Sequence, residues 1–138
     1  MRPIYEQPVD RTRQREVIDA FCAAFGCTAM ETPRLTGWDY TLTVDNDPVA
    51  LVEVKVRLNA MDAYPTYLIS ERKVAALMGE ADAQGVVALL VVQWADAKAW
   101  ARLEPGTYAV GTGGRVDRND PADIEAVALI ELARFQRF

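Results

Sequence analysis

The chain has 138 residues, 51% of them hydrophobic and 25% charged, with a net charge of −5; this is one soluble globular domain spanning 1–138, too short for two ordinary cores and too apolar for a disordered chain. The acidic balance argues against a protein that coats nucleic acid nonspecifically, although it leaves room for a local basic surface. The absence of histidine excludes serine–histidine triads, histidine-ligated metals and histidine general bases, so any catalysis must run on carboxylates, lysine, tyrosine or a metal.

In chain order, MRPIYEQPVD has no signal-peptide core, and no later apolar run reaches the length of a membrane span, so a cytoplasmic location is expected. Residues 10–25 place Val17, Ile18, Phe21, Ala24 and Phe25 at helical spacing, with Asp10 as a candidate cap and Gly26 as the stop. Cys22 lies on the apolar side of that helix, and it and Cys27 are read as small core residues and not as a disulfide or half a zinc site. A short extended piece follows at Thr28–Glu31. WDYTLTV then alternates, DNDP supplies turn chemistry, and VALVEVKVR resumes the strand pattern, which together predict a β-hairpin. Ser70 caps a second helix carrying Val74, Leu77, Met78 and Ala81 and ending near Gly85. The continuous apolar run GVVALLVVQW suits a central strand covered on both faces. Residues 97–103 and 107–116 read as short strands, with GTGG as a turn and not a phosphate loop. For the last segment two readings stand: a helix starting at Asp120 and Pro121, or an edge strand at EAVALI followed by a turn at ELARFQRF.

The chemistry concentrates in LVEVKVR. The acid-x-lysine pattern occurs three times, as Glu53-Val-Lys55, Glu71-Arg-Lys73 and Asp96-Ala-Lys98. Glu71 suits the first turn of a helix and Asp96 a polar connection. Glu53 and Lys55 instead sit within a β-branched run, where the period of two puts them on one face with Leu51 and Arg57, while Ala50, Val52, Val54 and Val56 fill the other. Matching Tyr40, Leu42 and Val44 to the second set requires paired positions whose numbers sum to an even value, and this register carries Asp39 to the face of Glu53. A four-residue loop over Asp45 to Pro48 breaks that register, so an odd loop or a bulge is predicted. Two carboxylates about 4 Å apart repel by about 4 kcal/mol at an effective dielectric near 20. Together with backbone oxygens and water they form what Mg²⁺ or Mn²⁺ prefers.

Asp39 followed across a hairpin by Glu53-Val-Lys55 resembles the PD-(D/E)XK nuclease superfamily. Residues 13–57 are most similar to its archaeal Holliday junction resolvase branch, where a helical glutamate precedes the aspartate by a little over twenty residues and a small hydroxyl residue lies just before it; Glu16 and Thr36 occupy those places. The similarity continues in order and type over residues 10–103. Trp38 stands where a proline commonly precedes the aspartate, and the chain is acidic where those relatives are basic, with no lysine before Lys55.

The resemblance implies a restriction-endonuclease-like α/β core, a mixed central β-sheet flanked by helices in αβββαβ order. It implies a Mg²⁺- or Mn²⁺-dependent DNA endonuclease, resolvase-like and homodimeric. Asp39, Glu53, the Val54 carbonyl and Glu16 would bind the ion, with Glu6 in reserve for Glu16, and Lys55 would orient or deprotonate the attacking water. Gln93 and Lys73 are candidates for the site's margin. Arg11, Arg13, Arg15, Thr36, Arg57 and Lys73 are candidate DNA contacts. The alternative is a catalytically inactive subunit on the same fold, kept for interaction or assembly.

Overall fold

A computed structural model describes residues 8–33, 37–114 and 124–138. The first helix, α1 (Pro8–Phe25), begins two residues before the expected cap, with a proline whose fixed φ suits a first turn, and ends at Gly26. β1 (Thr28–Glu31), β2 (Tyr40–Val44) and β3 (Asp47–Val56) form an antiparallel meander. The turn is tighter than DNDP implied: Asp45 and Asn46 alone make it, both at positive φ (52° and 67°), and Asp47 and Pro48 already belong to β3. Near the turn Val44 faces Asp47 and Thr43 faces Pro48; beyond a bulge at Val49 the pairs become Leu42 with Ala50 and Tyr40 with Val52. The bulge restores the even-sum register and aligns the apolar faces of the two strands.

β4 (Thr66–Ser70) follows a short 3₁₀ turn at Met61–Ala63 and leads directly into α2 (Glu71–Gln84). Ser70 Oγ accepts the Lys73 N–H at 3.4 Å at the start of that helix, and Gly85, at φ 71°, closes its end in the left-handed region that a side chain disfavours. The chain then returns as β5 (Val87–Gln93), parallel to β3, with β6 (Lys98–Leu103) antiparallel beside it. The remaining strands are β7 (Ala109–Gly114), β8 (Ile124–Glu131) and β9 (Gln136–Arg137). The main sheet has the order β1-β2-β3-β5-β6-β9, and a second sheet has the order β4-β8-β7.

Two expectations are corrected. GTGG is strand and not turn: Gly111 to Gly114 pair with Val127 to Ile124. A Cβ on Gly111 would meet Leu129 Cδ1 at 3.2 Å, so the missing side chain admits β8's leucine. EAVALI is a strand, yet not at an edge, since β8 lies between β4 and β7. β4, whose Tyr67 and Ile69 turn inward and Leu68 outward, had no sequence expectation. The proposed helix start at Asp120 and Pro121 lies outside the described residues.

The main sheet is covered on both faces. On one, Val17, Ile18 and Phe21 of α1 pack on Tyr40, Leu42, Ala50, Val52, Val54, Leu89 and Val91. On the other, Val74, Leu77 and Ala81 of α2 join Tyr67, Ile69, Ala128 and Ile130 of the second sheet against Leu51, Leu90 and Val92. β5 is therefore buried along nearly its whole length, as its unbroken apolar run requires. Cys22 and Cys27 are free thiols 3.3 Å apart beside the α1 core, and burial together with Cys27 pushes the Cys22 thiol up to about 12. No helix among the described residues is long and apolar enough to cross a membrane.

Candidate active site

The β2–β3 ladder stops one residue short of Asp39. Tyr40 pairs with Val52, and the Asp39 N–H still donates to the Val52 carbonyl at 2.9 Å. The next backbone donor of β3, Val54 N–H, goes to the Asp39 carboxylate instead, at 2.7 Å to Oδ2. The side chain thus replaces the strand partner that β2 no longer supplies. A strand residue's N–H and C=O point to the same side, so the Val54 carbonyl faces the same gap.

Glu53 lies on the sheet face covered by α2 and the second sheet, and it is only 6% exposed. Burying a carboxylate this deeply requires partners, and two lysines provide them. Lys55 Nζ lies 3.0 Å from Glu53 Oε1, and Lys73 Nζ, reaching down from the first turn of α2, lies 3.6 Å from the same oxygen. One of the apparent decoys therefore contributes its lysine to the site. Asp96 has a local role, its Oδ1 accepting the Met61 N–H at 2.9 Å.

Asp39 and Glu53 are electrostatically coupled. Burial raises the Asp39 carboxyl first and the nearby Glu53 charge raises it further, while the Val54 N–H, Lys55 and Lys73 oppose them; the result is about 6. An aspartate raised chiefly by burial, beside a second buried acid, is a group whose charged form a cation would favour. Among the described residues no group of three or more His, Cys, Asp or Glu assembles, so the donors on hand are two carboxylates and the neutral Val54 oxygen. That set suits a hard divalent cation that keeps several waters, Mg²⁺ or Mn²⁺, and does not suit a softer ion.

The other expected residues divide. Glu16 is not brought in: it is exposed on α1, which packs on the opposite face of the sheet through Val17 and Ile18, neighbours that turn Glu16 outward. Glu6 and Thr36 lie outside the described residues. Arg11 is paired with Glu31, and Arg15 with Asp19 at 3.1 Å; Arg13 is exposed. Arg57 follows Lys55 on the same face, its guanidinium 5.2 Å from the Tyr67 ring centre. Gln93 pairs with Val56 and so belongs to the face away from Glu53.

The helix residue that does reach the site is Gln14, which was not anticipated. Its Nε2 donates to the Val54 carbonyl at 3.4 Å. The signal was present, because Gln14 lies three and four positions before Val17 and Ile18 and so is a polar residue on the buried stripe.

The sequence model of the family described as "Phage putative PDDEXK endonuclease" matches residues 1–138. The chain belongs to that nuclease family. No curated protein matches the sequence. Among solved structures, this PDDEXK endonuclease family member is similar to Hjc of Archaeoglobus fulgidus, a Holliday junction resolvase from an archaeal hyperthermophile. The TM-score is 0.58 at 17% identity, covering 88% of this chain and 84% of that one. At that identity the likeness is one of fold, and it establishes the restriction-endonuclease-like core.

Proposed function

We propose that the protein is a divalent-metal-dependent DNA endonuclease that hydrolyses phosphodiester bonds at a site formed by Asp39, Glu53 and Lys55. The observation that carries this reading is the meeting of the three at one end of β3, with Asp39 on the Val54 N–H at 2.7 Å and Lys55 on Glu53 at 3.0 Å. Asp39, Glu53 and the Val54 carbonyl would hold Mg²⁺ or Mn²⁺. When bound, the cation supplies Lewis-acid polarisation of the scissile phosphate and a lowered pKa for water.

The chain's own groups do the rest. Lys55, held by Glu53 on a mostly buried strand, orients the attacking water and offers an ammonium to the charge that develops on the phosphoryl oxygens. Lys73, more exposed on α2, adds positive charge over the same oxygens. Asp39 is held by its bond to the Val54 N–H through one oxygen, which leaves the other free to bind a cation. Arg57, Arg11 and Arg13 are proposed to contact the DNA backbone.

The likeness in fold to a Holliday junction resolvase supports a branched DNA substrate, and cutting two symmetric strands of such a substrate would call for a homodimer. The test is cleavage of four-way junction, duplex and single-stranded DNA with Mg²⁺ or Mn²⁺, by wild type and Lys55→Ala. Metal-dependent cutting that falls sharply in the variant is expected. No cutting and no Mn²⁺ binding by calorimetry would leave the protein as an inactive nuclease-fold subunit, a role its acidic net charge of −5 also suits.

A further inference from the structure

Beside the candidate active site, a cavity of about 290 Å³ opens past the end of β3, lined by Arg57, Tyr64, Tyr67, Leu68 and Trp94 among others. Arg57 is two residues beyond Lys55 on the same face, about 7 Å along the strand. Its N–H donates to the Gln93 carbonyl at 2.8 Å, which extends the β3–β5 ladder and holds it in place. The cavity therefore begins two strand positions beyond Lys55, although Asp39, Glu53 and Lys55 do not line it.

Its walls combine three features. Tyr64 is 63% exposed and Leu68 also faces solvent, so the rim is apolar and open. Arg57 lies over the face of Tyr67, presenting a flat cation at the mouth. Tyr67 itself is only 5% exposed, fixed edge-on against Trp94 and Phe135, yet its hydroxyl has no hydrogen-bond partner among the described residues. That hydroxyl is itself shielded from the cavity, so Tyr67 contributes to the wall through its fixed ring.

We propose that this cavity is a nucleobase subsite, taking one unstacked base of the nucleic acid beside the cleaved phosphate. A base has the flat π-face that the exposed Tyr64 and the Arg57 guanidinium stack upon. The volume sits at the lower end of small-ligand clefts, ~300 Å³, and so admits a single base and not a pair. Duplex ends, single strands and branch points offer such a base at little unstacking cost, whereas intact duplex does not. The subsite thus favours substrates that are locally unpaired. This inference rests on the nuclease reading.

The experiment uses the full chain and single-stranded oligonucleotides carrying one 2-aminopurine, moved position by position, in EDTA so that nothing is cut. Binding to wild type is expected to change the emission of one label position, and the change is expected to disappear in Tyr64→Ala with about a tenfold loss of affinity. Arg57→Gln is expected to bind several-fold more weakly while melting no lower than wild type, an outcome a purely structural arginine would not give. No responding position, or the same response in both variants, would overturn the subsite. Mg²⁺-dependent cleavage without a responding label would overturn the subsite alone; a responding label without cleavage under any metal would support it and count against the nuclease reading. Self-association that vanishes in Tyr64→Ala, with no label response, would assign the cavity to a second copy of the chain.

Discussion

Asp39 accepts the Val54 backbone N–H at 2.7 Å, so the carboxylate that would face a cation is also the group that completes the strand ladder of β3. That bond favours the charged form, but burial and Glu53 outweigh it and the carboxyl stands near 6. An acid whose folded pKa lies above its unfolded value binds its proton more tightly when folded. Ionising it therefore costs stability, little below pH about 4 and fully once pH has risen through about 6. The difference from 3.8 sets a ceiling of roughly 3 kcal/mol at neutral pH. Asp39→Asn keeps an oxygen for the Val54 N–H and removes the charge, so in EDTA at pH 7.5 it is expected to melt several degrees higher than wild type. The gap should close towards pH 4.5. Added Mn²⁺ should stabilise wild type and leave the variant unmoved. A variant that melts lower at neutral pH would mean that the carboxylate is not strained there.

Lys55 and Lys73 share Glu53 Oε1 but differ in exposure, with side chains 24% and 58% accessible. The more buried lysine acts in a less screened environment, so their losses should be unequal. Lys55→Ala is expected to lower the single-turnover cleavage rate by about 100- to 1,000-fold, the scale of removing one donor to a developing charge. Lys73→Ala is expected to cost about tenfold or less, shrinking further at high salt. Equal losses at both positions, measured at 50 and 300 mM salt, would overturn this division of roles.

The hairpin that carries the site turns on Asp45 and Asn46, both at positive φ. In such a two-residue turn the second position favours glycine. Asn46→Gly is expected to stabilise the protein by about 0.5–1 kcal/mol in urea unfolding and to leave Mn²⁺ affinity unchanged, because the bulge at Val49, and not the turn residue, sets the register of β3. A changed metal affinity would show that the turn itself transmits to the site.

The central sheet was legible because its signals are local and periodic: the β-branched run of β3, the unbroken apolar run of β5, Ser70 and Gly85 bracketing α2. Parity alone connected Asp39 to the face of Glu53 and required an odd loop or a bulge, of which the chain uses the bulge. The rest depended on contacts that sequence spacing does not carry. β4 is five residues long, and its partner β8 is more than fifty residues away. The glycines of β7 read as a turn because their fitness for a strand appears only once Leu129 is seen beside Gly111. Lys73 was legible only as a candidate for the site's margin, and the packing of α2 is what brings it to Glu53. Glu16 was chosen for its spacing from Asp39, but a helical wheel with Val17 and Ile18 inward puts Gln14, and not Glu16, on the side that meets β3.

Gln14 offers the last test. Its amide nitrogen sits 3.4 Å from the Val54 carbonyl, so a carboxylate there would approach the oxygens proposed to hold the cation. With Asp39 and Glu53 it would make a third acid in a cluster that now has two. Charge count is a main determinant of affinity at hard-cation sites. Gln14→Glu is therefore expected to tighten Mn²⁺ by about tenfold, ~1.4 kcal/mol. The same substitution should lower the melting temperature in EDTA, because three carboxylates repel when no ion lies between them. Glu16→Gln, on the exposed side of the same helix, is expected to change neither quantity. Calorimetry and melting of the two variants side by side decide the matter: an effect at Glu16 and none at Gln14 would return the helix's contribution to the residue that sequence spacing first suggested.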